Sequence, residues 1–302
     1  MLITGWRVNS CLLFVALVFV CTSLNAEEDV LPSSSVTLEA GKDSADGNEA
    51  YLDLDLGFKN GLHLRGMVGR NKQEFNTEVF ETRSRLIGVS SDYGAPFVAG
   101  FDFEYWGNAE TLETHTKRFK LGANTDNWYV QLIYEDRTTR LYTNGTYTGP
   151  FGRVYNLPDY VEIDSSGTGL NISNYSFYPW AVTISYIKFS YDSFANNRDV
   201  SELAGNQNAT IFFSLPTLGM ATGLESWRRS GDIGYNFDWG TIGVSGSQSE
   251  SAVDESIAST GSVYLIWEFS RDWSSTFTWG ESGTDTTDET VRFGRVAVTH
   301  RW

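Results

Sequence analysis

Residues 51–69 read YLDLDLGFKNGLHLRGMVG. Leu52, Leu54, Leu56 and Phe58 alternate with Asp53, Asp55 and Gly57, and after KNG, Leu62, Leu64 and Val68 alternate with His63, Arg65 and Met67. A period of two marks a β-strand with unlike faces. The KNG connection joins two such strands into a hairpin, with Gly61 taking the left-handed conformation this loop needs. Phe58 then faces Leu62, Leu56 faces Leu64, Gly57 faces His63 and Asp55 faces Arg65. The pairs match in kind, so the register supports itself, and an Asp55–Arg65 ion pair is expected across the strands. What the oily face touches, a protein core or lipid, decides the fold.

The same alternation recurs through the chain. It is present in SSVTLEAGK (34–42), VFETRSRLIGVS (79–90), PFVAGFDFEYW (96–106), RFKLGA (118–123) and NWYVQLIYE (127–135). It returns in AVTISYIKFSY (181–191), ATIFFSL (209–215), MATGLES (220–226), IGYNFDW (233–239) and TIGVSGS (241–247). SVYLIWEFS (262–270), WSSTFTWG (273–280) and VRFGRVAVTHRW (291–302) complete the series. Segments of about 8–12 residues suit a tilted strand that crosses a bilayer. Short connections (KNG, SDYGA, NTDN, LPTLG, DWG, SRDW) alternate with longer polar ones (DSADGNE, NKQEFNTE, NAETLET, SQSESAVDES, ESGTDTTDE). Tight turns at one end and longer loops at the other are the asymmetry of a membrane barrel. With one more short turn near FYPW (177–180), the count predicts an all-β transmembrane antiparallel barrel of about 16 strands, in the range 12–16.

The first 26 residues read as a leader. Arg7 precedes the apolar run LLFVALVFV (12–20), and the polar stretch CTSLNA ends at Ala26, the order of a secretory signal peptide. Both cysteines, Cys11 and Cys21, lie in it, so residues 27–302, the expected barrel, contain none. An exported chain without disulfides needs a large core or a membrane to hold it. The net charge of −16 becomes more negative when Arg7 leaves, which argues against nucleic acid as a partner.

A soluble β-sandwich also alternates, but three features favour lipid. The apolar face recurs in nearly every segment while the chain has only 6 prolines, the usual punctuation of sandwich loops. Aromatics gather near strand ends, among them Phe58, Tyr105, Trp106, Trp128, Tyr134, Trp239, Trp273 and Trp279, as interfacial girdles require. Third, the chain closes on an amphipathic segment whose last residue is Trp302. This ending resembles the C-terminal strand of Gram-negative outer-membrane β-barrel proteins, which stop on Phe or Trp; His300 stands where Tyr is common. The resemblance implies an outer-membrane location, contact with outer-membrane lipid and lipopolysaccharide, and recognition of Trp302 by the barrel-assembly machinery.

A closed barrel satisfies every backbone donor and acceptor in hydrocarbon, and its second face lines a lumen. Asp53, Asp55, Arg65, Glu81, Arg83, Arg85, Asp102, Glu104 and Glu135 are the candidate lining residues, because each opposes an apolar position on its segment. Such a lining tunes ion passage, although charges on neighbouring strands also simply neutralise one another. The connection 137–169 is a candidate constriction, with Arg137, Arg140 and Arg153 set against Asp159, Glu162 and Asp164. A passive, water-filled pore for small polar solutes is the leading reading. A rim enzyme around His115 and a non-conducting surface protein acting through its outer loops are the alternatives. No cofactor or metal motif is present, and self-association into a homo-oligomer is compatible with the class.

Overall fold

The computed structural model describes residues 34–75, 78–91, 96–108, 111–142, 146–148, 154–156, 160–191, 224–252, 255–286 and 290–302. The expected leader, 1–26, lies outside the described residues. In chain order the strands are β1 (Ser35–Asp43), β2 (Asn48–Gly57), β3 (Leu62–Phe75), β4 (Glu78–Ser91), β5 (Phe97–Asn108), β6 (Leu112–Asn124), β7 (Trp128–Tyr142) and β8 (Thr146–Thr148). They continue as β9 (Val154–Asn156), β10 (Tyr160–Asn174), β11 (Trp180–Tyr191), β12 (Glu225–Phe237), β13 (Gly240–Ser251), β14 (Ile257–Glu268), β15 (Trp273–Thr284) and β16 (Thr290–Arg301). All but β8 and β9 form one closed antiparallel barrel of 14 strands, each paired with its neighbours in order. β8 and β9 pair only with each other. The barrel shuts where Ser35 stands opposite Arg301, and the Trp302 N–H donates to the Ser34 carbonyl at 3.0 Å.

The opening hairpin has the register its sequence predicts: Leu56 faces Leu64 and Asp55 faces Arg65. Gly61 sits at φ 79°, and the N–H groups of Phe58 and Gly61 close the turn at 2.8 and 2.9 Å. The expected Asp55–Arg65 ion pair is corrected. Arg65 bonds instead to Asp53, at 2.5 Å, and Asp55 takes His63 at 2.9 Å. Strand twist brings the diagonal neighbour within reach of a long side chain, so register and charge pairing differ by one step.

Fourteen barrel strands fall inside the expected range and below its central figure, for identifiable reasons. ATIFFSL (209–215) and LPTLG (215–219) lie outside the described residues. Glu225 and Ser226, the described end of MATGLES, and most of IGYNFDW, counted apart in the sequence, belong to the one strand β12, which includes WRRSGD. The arginines there are strand residues: Arg228 points inward to acidic partners and Arg229 points outward beside Gln248. Several stretches that read as polar loops are strand as well. β3 and β4 extend to Phe75 and from Glu78, and β7 and β10 reach Tyr142 and Tyr160. With 14 or 15 residues each, these four exceed the roughly 9–11 that cross hydrocarbon, and their far ends stand above it.

On the outer face, large apolar side chains stay exposed. Ile87 is 59 % exposed, Leu121 61 % and Leu132 58 %. A continuous exposed apolar band on a closed sheet is what hydrocarbon contact stabilises and water does not. At the end with the tight turns, aromatic rings pack into a girdle: Trp180 lies edge-on to Tyr235, and Phe237 stacks on Trp239.

Candidate functional site

The inward phase of each strand follows from the register. Asp53, Asp55, Arg65, Asp102, Glu104 and Glu135, all predicted to line the lumen, lie on it. Glu81, Arg83 and Arg85 do not. They share a phase with Ile87 and Val89, whose side chains are exposed on the outer face, while Thr82, Ser84 and Gly88 turn inward and are buried. The expectation failed because the apolar residues that alternate with them, Phe80 and Leu86, are on the inward phase, Phe80 in a buried apolar cluster, so the oily residues of upper β4 do not mark its lipid face.

The expected constriction loop is corrected too. Arg137 does face the lumen, but from β7 within the barrel wall. Arg140, Glu162 and Asp164 lie on the outer face above the apolar band. Arg140 Nε bonds to Glu162 at 2.7 Å, and the Thr138 hydroxyl donates to Asp164 at 2.7 Å. Arg153 and Asp159 lie outside the residues whose side chains are described. His115 is also on the outer phase, 3.6 Å from Glu113, with its ring against Tyr105. It therefore points away from the lumen.

Inside, one wall is filled. Phe80, Leu112, Leu141, Ile163 and Leu224 form a buried apolar cluster, and Ile133, Ile187 and Phe189 form a second. Below the first cluster, β7 and β12 are joined directly across the two strands between them. Arg137 reaches Glu135 at 2.9 Å and Glu225 at 3.3 Å. Arg228 reaches the same two carboxylates at 3.3 and 3.4 Å. Arg118 adds a third cation to Glu135, at 2.7 Å, and also contacts Glu104 at 3.3 Å. Glu135 is 0 % and Glu225 1 % exposed, so these charges depend on each other. Phe189 forms the floor, its ring centroid 4.3 Å from the Arg137 guanidinium. The intervening strands leave room for this bridge by turning Gly167 and Gly169 inward beside Phe189 and Ile187.

The opposite side is open. A cavity of about 440 Å³ lies between a charged wall and a hydroxyl wall. On the charged wall Arg295 bonds to Glu49 at 2.5 Å and lies 3.8 Å from Glu39, with Tyr51 and Trp106 nearby. The facing wall presents Ser245, Ser247, Thr260, Ser262 and Thr278 from β13, β14 and β15. Ser245 and Ser262 share a hydrogen bond at 2.7 Å. The lumen is thus eccentric, dry on one side and polar on the other. Sequence reading missed Arg118, Lys120, Arg295, Glu39 and Glu49. Alternation with Phe119 and Leu121, with Val296, and with Leu38 and Ala40 carried the signal. Glu225 had none, since a bulge between Glu225 and Trp227 sets its direction.

No protein-family model and no curated protein sequence matches the chain. Among solved structures it is similar to the CymD monoaromatic hydrocarbon channel, with TM-score 0.52 and 9 % identity over 89 % of this chain and 88 % of that one. It is also similar to the KdgM porin, with TM-score 0.43 and 13 % identity over 89 % and 99 %. OmpT of Vibrio cholerae gives TM-score 0.46 and 10 % identity over 89 % and 96 %. At such identities the likeness concerns the fold. The chain has the architecture of a membrane β-barrel, one closed antiparallel sheet around a lumen.

Proposed function

We propose that this protein is an outer-membrane channel that passes small polar solutes or ions through the open side of its lumen. The observation that carries this reading is the cavity between the Glu39–Glu49–Arg295 wall and the serine and threonine wall of β13–β15. Charges of both signs facing hydroxyl groups offer donors and acceptors to a solute that sheds part of its water. A barrel well above about eight strands has interior space that side chains need not fill. The exposed outer band fits a bilayer. Recordings in planar bilayers test the proposal. Stepwise conductance whose cation–anion selectivity moves when Arg295→Gln or Glu49→Gln is introduced is expected. A folded barrel that inserts and stays electrically silent refutes it.

A further inference from the structure

Arg83 and Arg85, displaced from the lumen, stand in unusual company. Arg83 is directly opposite Arg70 on the neighbouring strand, and both face outward. Like charges set opposite each other on one sheet face destabilise it. Lys72 occupies the next outward position of β3, and Arg85 the next of β4. Among the described residues two carboxylates adjoin this patch: Glu81, opposite Lys72, bonds to Arg70 at 2.5 Å and lies 3.8 Å from Arg83, while Glu113 on β6 is engaged by Arg140 at 3.3 Å and the Tyr142 hydroxyl at 2.9 Å. Four cations thus have Glu81 as their one carboxylate not already held by another arginine, in a chain whose overall charge is −16. Arg70 and Arg83 keep side-chain exposures of 48 % and 62 % despite that partner.

Depth adds a second, independent observation. On β3 the outward series passes from Leu64 and Val68 to Arg70, and on β4 from Val89 and Ile87 to Arg85. Val68 is itself paired with Arg85. The guanidinium groups therefore begin one step above the apolar band, on the side away from the tight turns. Tyr105 completes the site on β5, its ring centroid 5.9 Å from the Arg85 guanidinium. An aromatic ring with basic side chains at this level marks the hydrocarbon–headgroup boundary.

We infer that Arg70, Lys72, Arg83 and Arg85 form a binding site on the outer wall of the barrel for the phosphate groups of a phosphorylated lipid in the surrounding leaflet. Guanidinium forks match phosphate oxygens in pairs and keep their charge at the membrane boundary. The ligand balances the repulsion between Arg70 and Arg83 that Glu81 offsets only in part. This inference rests on the outer-membrane location proposed above, not on conduction.

The test uses the folded full-length barrel in neutral detergent, with bisphosphorylated lipid A, its dephosphorylated form and phosphatidylcholine as probes. Binding is followed by native mass spectrometry and by the temperature at which the barrel unfolds. The wild-type protein is expected to bind the bisphosphorylated form at least tenfold more tightly than the other two. Arg83→Gln with Arg85→Gln is expected to cut that affinity about tenfold or more, since each basic side chain near an anionic headgroup contributes roughly a fivefold factor. Equal affinity of the wild-type protein for phosphorylated and dephosphorylated forms overturns the inference, and needs no variant. Full protection by inorganic phosphate at the same concentration overturns it as well, by showing a free-anion site. Conductance recorded on the same samples separates the two proposals, because neither arginine reaches the lumen.

Discussion

The bridge between β7 and β12 makes a prediction that depends on its redundancy. Three strand spacings of about 4.8 Å put these walls roughly 14 Å apart along the sheet, and two guanidinium groups span that gap. Each of the two buried carboxylates has more than one cation. Removing Arg137 leaves Glu225 with Arg228 at 3.4 Å, and leaves Glu135 with Arg118 and Arg228. Arg137→Ala should therefore cost about 2–3 kcal/mol, the scale of lost charge-assisted hydrogen bonds. Arg228 is one-third exposed, with a side-chain exposure of 32 %, so solvent screening limits Arg228→Ala to about 1 kcal/mol. Together they strand Glu225, which is 1 % exposed and has no other cation in contact among the described residues. Breaking a buried pair so that one charge stands alone costs about 3–5 kcal/mol, against about 1 kcal/mol for removing Arg228 by itself, so the double variant should exceed the sum of the singles by about 2–4 kcal/mol. Urea unfolding in lipid vesicles, followed by tryptophan fluorescence, measures all three. Additivity within about 0.5 kcal/mol would show that Glu225 finds other compensation, and the argument from redundancy would fail.

Further expectations can be checked in parallel. A double-mutant cycle on Asp53 and Arg65 should give a coupling of about 0.2–1 kcal/mol, as exposed pairs do, and the Asp55–Arg65 cycle should give none; the reverse pattern would restore the directly opposed pairing. Gly167→Val should lower barrel stability by about 1–3 kcal/mol, because a Cβ there meets the Phe189 ring at 2.6 Å. The same change at Gly261, which has nothing within 4 Å, should be near neutral in the same unfolding assay. Charge reversal at Arg83 and Arg85 should leave ion selectivity unchanged, since both face outward, whereas reversal at Arg295 should shift it; reversal potentials under a salt gradient decide between them.

The first hairpin shows how far a sequence can be read. Its register followed from matching kinds of residue across KNG, because a slip by one residue would turn every leucine to the wrong face. In the final segment, read as amphipathic, Val296 and Val298 share one phase, and both are exposed on the outer face. Legibility ended where the inward face carries apolar residues and the outward face charged ones, as at Phe80, Leu141 and Ile163. In the upper half of β4, in β7 beyond Tyr134 and in the first turns of β10, strands rise above hydrocarbon, and period two no longer distinguishes lumen from exterior. Glu81, Arg83 and Arg85 were misplaced because Phe80 and Leu86 take the lumen side of β4, and Arg140, Glu162 and Asp164 because 137–169 reads as a connection where β7 and β10 continue as strand.

What the sequence determined alone was a closed sheet with a lipid face. Alternation and turn chemistry act between neighbours in the chain, and hydrocarbon admits few ways to pair a backbone. Which charges meet was decided by the tertiary structure. Arg137 and Glu225 are joined only when pairing through β10 and β11 curves the sheet and brings β7 and β12 within reach, and Arg295 finds Glu49 only across the seam where the last strand meets the first. Twist then assigned the diagonal partner in place of the opposed one. Those distances belong to the closed barrel, and no local pattern in the chain encodes them.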